Sequence, residues 1–117
     1  MGAHGSDGGR VIKDDDAERA VSYLRDSAEE AAQARANVAY LESWLKVVKA
    51  QEMAASDESS QAAKEVEALC SAKYREALEG YRAAVEKDNA FRFKREAAMA
   101  RIEAWRTQSS NLRGMTR

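Results

Sequence analysis

Between Asp14 and Ala54 the chain reads DDDAERAVSYLRDSAEEAAQARANVAYLESWLKVVKAQEMA, and its apolar residues keep a seven-residue beat. Ala17, Leu24, Ala31, Val38 and Leu45 fall in one register, with Ala20, Ser27, Ala34, Leu41 and Val48 three residues later. Positions spaced alternately by three and four lie on one stripe of an α-helix, so the stretch predicts one long helix with a buried seam. The first half of the seam is mostly small residues and the second half is Val and Leu, which lets a neighbouring helix approach most closely near Ala31. Asp14, Asp15 and Asp16 suit the start of the helix, where carboxylates cap free N–H groups and complement the positive end of the dipole.

Outward from this stretch, Ser56-Asp57-Glu58-Ser59-Ser60 supplies turn and cap residues and predicts a corner. Gln61 to Cys70 predicts a short helix with Val66, Leu69 and Cys70 on one side, and Ser71 is a cap for the next helix. From Lys73 the period returns. Tyr74, Tyr81 and Ile102 share one register, Ala77, Ala84, Phe91, Ala98 and Trp105 a second, and Leu78, Val85 and Met99 widen the stripe. Two serines, Asn111 and Gly114 predict that the last helix ends between 109 and 114.

Two helices of ~40 residues, 14 to 54 and 72 to 111, joined by a corner of ~17 residues, predict an antiparallel hairpin with a short helix at the turn. The fold class expected is therefore all-α and coiled-coil-like, in one domain over 14–113. Residues 1–13, opening MGAHGSDGG, read as a flexible leader or tag remnant, and 114–117 as a loose tail. Such a hairpin brings Ala31 near Ala98. It also leaves Tyr23, Tyr40 and Trp44 off the seam, to meet either the short middle helix or a second copy of the chain, and the second predicts a homodimer in a helical bundle, with Tyr40, Trp44, Phe91 and Trp105 as interface anchors.

Composition agrees with helix. Among 117 residues there is no proline and 33 % are charged. Cys70 is the only cysteine, which excludes an internal disulfide, points to a reducing compartment such as the cytoplasm, and gives the thiol the role of a small buried hydrophobe. No apolar run reaches the ~20 residues that span a bilayer, so no membrane partner is expected.

The chemistry of an enzyme is missing from the pattern. His4, in the leader, is the only histidine, so there is no His base and no Glu-x-x-His metal site, and no glycine-rich phosphate loop occurs. The sequence is expected to be non-enzymatic, with no cofactor, metal or small-molecule substrate.

Charge is where the chain is uneven. The formal net charge is −1, yet residues 92–117 hold seven Lys or Arg against Glu96 and Glu103, a local +5 that leaves −6 elsewhere. Arg92, Lys94, Arg95, Arg101, Arg106 and Arg113 are the candidate contact residues. Phe91-Arg92-Phe93-Lys94-Arg95 interleaves rings with cations, a pattern in which arginines neutralise phosphates while rings stack on bases. The bland alternative is a solvated helix face. Asp88, Arg92 and Arg95 also interrupt the apolar stripe, and Asp88 stands four residues before Arg92, the spacing of a helical ion pair. They predict a polar layer that fixes register, or else arginines that meet an acidic ligand.

Tyr40-Leu41-Glu42-Ser43-Trp44-Leu45-Lys46, Ala100-Arg101-Ile102-Glu103-Ala104-Trp105-Arg106 and the stretch from Tyr74 to Val85 resemble small helical proteins of tailed bacteriophages, a group of unassigned function. The resemblance covers residues 11 to 113 and carries no catalytic motif. It implies a protein of the host cytoplasm that aids phage DNA recombination or replication. Its alternatives are an inhibitor binding a host defence or transcription protein, or an assembly scaffold.

Overall fold

The computed structural model describes residues 11–115. Three helices account for nearly all of them: α1 (Asp14–Ala54), α2 (Gln61–Leu69) and α3 (Ala72–Met115). The fold is all-α, a helical hairpin whose two long helices are joined through a short one, with no strand among the described residues.

Each boundary has a local cause. Asp16 turns back at the start of α1 to accept the Lys13 N–H at 3.2 Å, so the acidic triplet satisfies a donor that the first helical turn leaves open. Ser60 caps α2 by accepting the Ala63 N–H at 3.1 Å. Ser71 caps α3 by accepting the Tyr74 N–H at 3.1 Å, and its hydroxyl donates back to the Ala68 carbonyl at 2.8 Å. At the far end the helix runs through Gly114 to Met115, past the stop expected at 109–114. Gly114 has no positive φ, and a glycine ends a helix only where the chain adopts the left-handed conformation.

The seam of α1 is as the heptad predicts: all ten of its positions are buried or half-buried. On α3 the covered positions form one equally regular series, Tyr74, Ala77, Tyr81, Ala84, Asp88, Phe91, Arg95, Ala98, Ile102 and Trp105. The stripe is narrower than expected, since Leu78 and Met99 are about half exposed and only Val85 of the three flanking residues is half-covered. Packing between two long helices covers little beyond the alternating three-and-four positions.

The structure divides into two compact units. The described part of the first comprises residues 11–29 and 91–115. Here α1 and α3 run antiparallel, joined by Arg95 to Ser27 and by Gln108 to Ile12. Ala98 lies beside Ala20 and Tyr23 in this unit. This corrects the register expected from the seam, which set Ala98 near Ala31, eleven residues further along α1 than Ala20. Alanines specify register weakly, and Arg95 sets it instead.

The second unit, residues 30–90, contains α2 and its corner. Lys49 pairs with Glu65 at 2.8 Å and the Ser56 hydroxyl donates to Glu67 at 2.8 Å, fastening α2 to the end of α1. α2 packs inward through Ala68, which is fully buried, while Val66 and Leu69 are 63 % and 41 % exposed. Cys70 is exposed as well, which corrects the expectation of a buried thiol. The small Ala68 lets α2 sit close, and that rotation turns the larger apolar side chains of the same short helix outward.

The core of both units is thin. Its buried apolar residues are Ala17, Ala20, Ala34, Val48, Ala68, Ala84 and Ala98, six of the seven being alanine. Among the described residues no large side chain is fully buried. An alanine methyl contributes about 0.8 kcal/mol on burial, roughly a quarter to a half of what a leucine gives.

Candidate nucleic-acid interface

The positive residues of α3 do not make one stripe. In the heptad set by its seam, Lys94 and Arg101 each precede a covered residue and lie on one flank, whereas Arg92 and Arg106 each follow one and lie on the other, with Arg113 one heptad beyond Arg106. All five are exposed. Arg106 is paired with Glu103 at 3.3 Å and Arg113 donates to the Ser110 hydroxyl at 3.4 Å. The first flank presents Lys94 and Arg101, neither of them in an ion pair among the described residues.

Arg95 behaves differently from the other cations. It occupies a seam position and its Nη1 donates to the Leu24 carbonyl and the Ser27 hydroxyl, both at 2.8 Å. Ser27 is 8 % exposed, so the layer is polar and covered. Its membership differs from the expectation: Arg92 points to solvent, forms no ion pair with Asp88, and stands with its guanidinium 5.1 Å from the centre of the Phe93 ring. Asp88 is half-buried in the seam of the second unit. A four-residue spacing favours an ion pair only where both side chains share a face, and Asp88 is directed into the seam while Arg92 flanks it.

The two rings of the aromatic-basic segment have separate fates. Phe91 is a seam residue, half-buried, and unavailable for stacking. Phe93 is 59 % exposed and carries the Arg92 cation against its ring, an interaction of about 0.5–1 kcal/mol at an exposed site. A ring so exposed adds little to the core.

Beside the first flank lies a groove lined by Ala20, Tyr23, Lys94, Ala97, Ala98 and Arg101, with Arg19 at its edge. Arg19 is held by ion pairs to Asp15 and Asp16. The Tyr23 hydroxyl is shielded from solvent and has no hydrogen-bond partner, a state that costs about 1–3 kcal/mol. Tyr23 and the groove escape a reading that looks only for charge and seam positions. Their signal was present, because Tyr23, Lys94 and Arg101 each immediately precede a seam residue, namely Leu24, Arg95 and Ile102.

The remaining anchors fall in two places. Trp105 is half-buried and its indole N–H donates to Asp14 at 2.9 Å. Next to it the Gln108 amide makes two bonds to the Ile12 backbone, accepting its N–H at 3.1 Å and donating to its carbonyl at 2.8 Å. These contacts use Trp105 within the fold. Tyr40 and Trp44, in the second unit, are 64 % and 38 % exposed, with Val47 at 43 %, and the spacing 40, 44, 47 puts the three on one face of α1.

No group of three or more His, Cys, Asp or Glu able to hold a metal ion occurs among the described residues. No helix among them is long and apolar enough to cross a membrane. Comparison with protein families, curated proteins and solved structures finds no match to this chain.

Proposed function

We propose that this is a non-enzymatic helical interaction protein that binds nucleic acid through the basic part of α3. The observation carrying this reading is Phe93, an exposed ring with the Arg92 guanidinium against it and Lys94 next in sequence. A platform of this kind stacks on any base while its cations meet the flanking phosphates, giving binding that is sequence-tolerant and salt-sensitive. An accessory role in phage DNA recombination or replication, in the host cytoplasm, rests on the resemblance around Tyr40–Lys46 and Ala100–Arg106.

The test is fluorescence anisotropy of labelled single- and double-stranded DNA at two salt concentrations, with Phe93→Ala and with Arg92→Ala/Lys94→Ala as comparisons. Binding that weakens with salt and falls in both variants supports the reading. No binding at low salt overturns it.

The protein is further proposed to act as a homodimer. Two observations support this: a core made almost entirely of alanine, and the exposed Tyr40, Trp44 and Val47 on one face of α1. Chains with little core of their own commonly gain stability by oligomerising. The face Tyr40–Trp44–Val47 offers the spacing with which one helix docks on another.

A further inference from the structure

We propose that the groove between Tyr23, Lys94 and Arg101 is the seat of a nucleic-acid phosphate, and that the strand bound is single. This rests on the nucleic-acid reading of Phe93 and extends it to a second contact.

Three independent features meet there. Lys94 and Arg101 stand two helical turns apart on one flank of α3, ~10.5 Å along the axis, and neither is in an ion pair among the described residues. Four phosphates of a stacked strand, spaced ~3.4 Å along its axis, cover that distance. Between the two cations the floor is Ala97 and Ala98, whose methyls leave a backbone room to approach. Tyr23 lines the same groove, and its hydroxyl is out of solvent and without a partner among the described residues. A phenol can donate one hydrogen bond, and a phosphate oxygen between two cations is an acceptor suited to it.

The neighbouring charges favour one strand over two. Arg19, which also lines the groove, is occupied by Asp15 and Asp16 and so offers no free cation to the second strand of a duplex. Phe93 asks for an unstacked base, which single strands supply without the cost of opening a duplex. Phe93 and Lys94 are consecutive, so a strand stacked on the ring continues directly into the groove.

The experiment uses the full chain with a labelled dodecathymidine, the matching duplex, and a labelled poly-glutamate peptide of similar charge. Four proteins are compared: the parent, Tyr23→Phe, Lys94→Ala/Arg101→Ala, and Phe93→Ala. The expected result is dodecathymidine binding with a salt slope of about −2, from three cations at ~0.7 each on a single strand. Tyr23→Phe weakens it about tenfold while leaving thermal stability unchanged or higher, since the variant removes a buried hydroxyl that has no partner in the free protein. Lys94→Ala/Arg101→Ala makes the slope shallower, about −0.7, as expected for the one cation that remains.

Loss of binding in Phe93→Ala with none in the two groove variants overturns the groove and leaves the nucleic-acid reading standing. Absence of binding to either DNA overturns both. Poly-glutamate binding that equals that of dodecathymidine and responds equally to Tyr23→Phe overturns the phosphate assignment in favour of an acidic protein. Duplex bound more tightly than single strand overturns the strand preference.

Discussion

Arg95 Nη1 reaches across from α3 to the Ser27 hydroxyl and the Leu24 carbonyl, 2.8 Å from each, and so fixes which residues of the alanine-lined helices lie opposite one another. Alanines are nearly interchangeable along a seam. A shift by one heptad would leave alanine against alanine, but it would strand the guanidinium in a covered position.

Replacing Arg95 by Leu is therefore expected to keep or raise the thermal midpoint, because a half-buried cation gives way to an apolar side chain in line with Tyr81 and Ile102. Register is expected to loosen at the same time. In a Cys70→Ser background, Ala20→Cys/Ala98→Cys should crosslink almost completely within one chain, and addition of Arg95→Leu should divide the product among several species. A midpoint lowered by more than about 10 °C would mean that Arg95 holds the fold together instead of choosing its register.

The Gln108 amide grips both backbone groups of Ile12. Each such bond is worth about 0.5–1.5 kcal/mol net, so Gln108→Ala is expected to free the start of α1 by about 1–2 kcal/mol. Hydrogen exchange at the Ile12 amide should quicken roughly tenfold, with amides near Val48 unchanged. Equal protection in variant and parent would refute the grip.

If Tyr40, Trp44 and Val47 are covered by a second copy, Trp44→Glu should convert the protein to a monomer in sedimentation equilibrium and lower its thermal midpoint. The parent's midpoint should rise with protein concentration, as mass action requires of a dimer. A parent that sediments as a monomer at millimolar concentration would remove the dimer.

Arg82 bonds to Glu79 at 2.6 Å and to Glu86 at 3.0 Å. The hydrogen bond and charge of Arg82 lower the Glu79 pKa from its ordinary value, and Glu79 and Glu86 raise that of Arg82. A depressed carboxylate contributes stability that is present above its unfolded pKa and lost as pH falls through the folded one. The contribution of this pair should thus persist at neutral pH and vanish below pH 4.5. Both groups are exposed, so the effect is small and salt-screened. An NMR titration should place the Glu79 carboxyl midpoint below those of unpaired glutamates, and Arg82→Gln should return it to them.

The span of α1, both corners and the α1 seam were legible in the sequence because they follow from periodicity and from short polar residues at caps, which act locally, whereas the end of α3 was not, because Gly114 stays helical. Ser60 and Ser71 cap as their positions suggest. What was not legible depends on rotation and register. Val66, Leu69 and Cys70 look like an inward face until Ala68, one step around the helix, is found to be the packed residue. Arg92 and Arg95 look equivalent in sequence, yet 3.5 residues per turn carry one to the flank and the other into the seam. The groove needed Tyr23 and Arg101, 78 residues apart, to be brought together, and no local pattern reports that.

The single oxygen of Ser71 finishes α2 by donating to Ala68 and begins α3 by accepting from Tyr74. Two helices that share one atom as stop and start cannot melt separately at that point. The bend between α2 and α3 is consequently held by partners three residues either side of Ser71, with no distant side chain needed to define it.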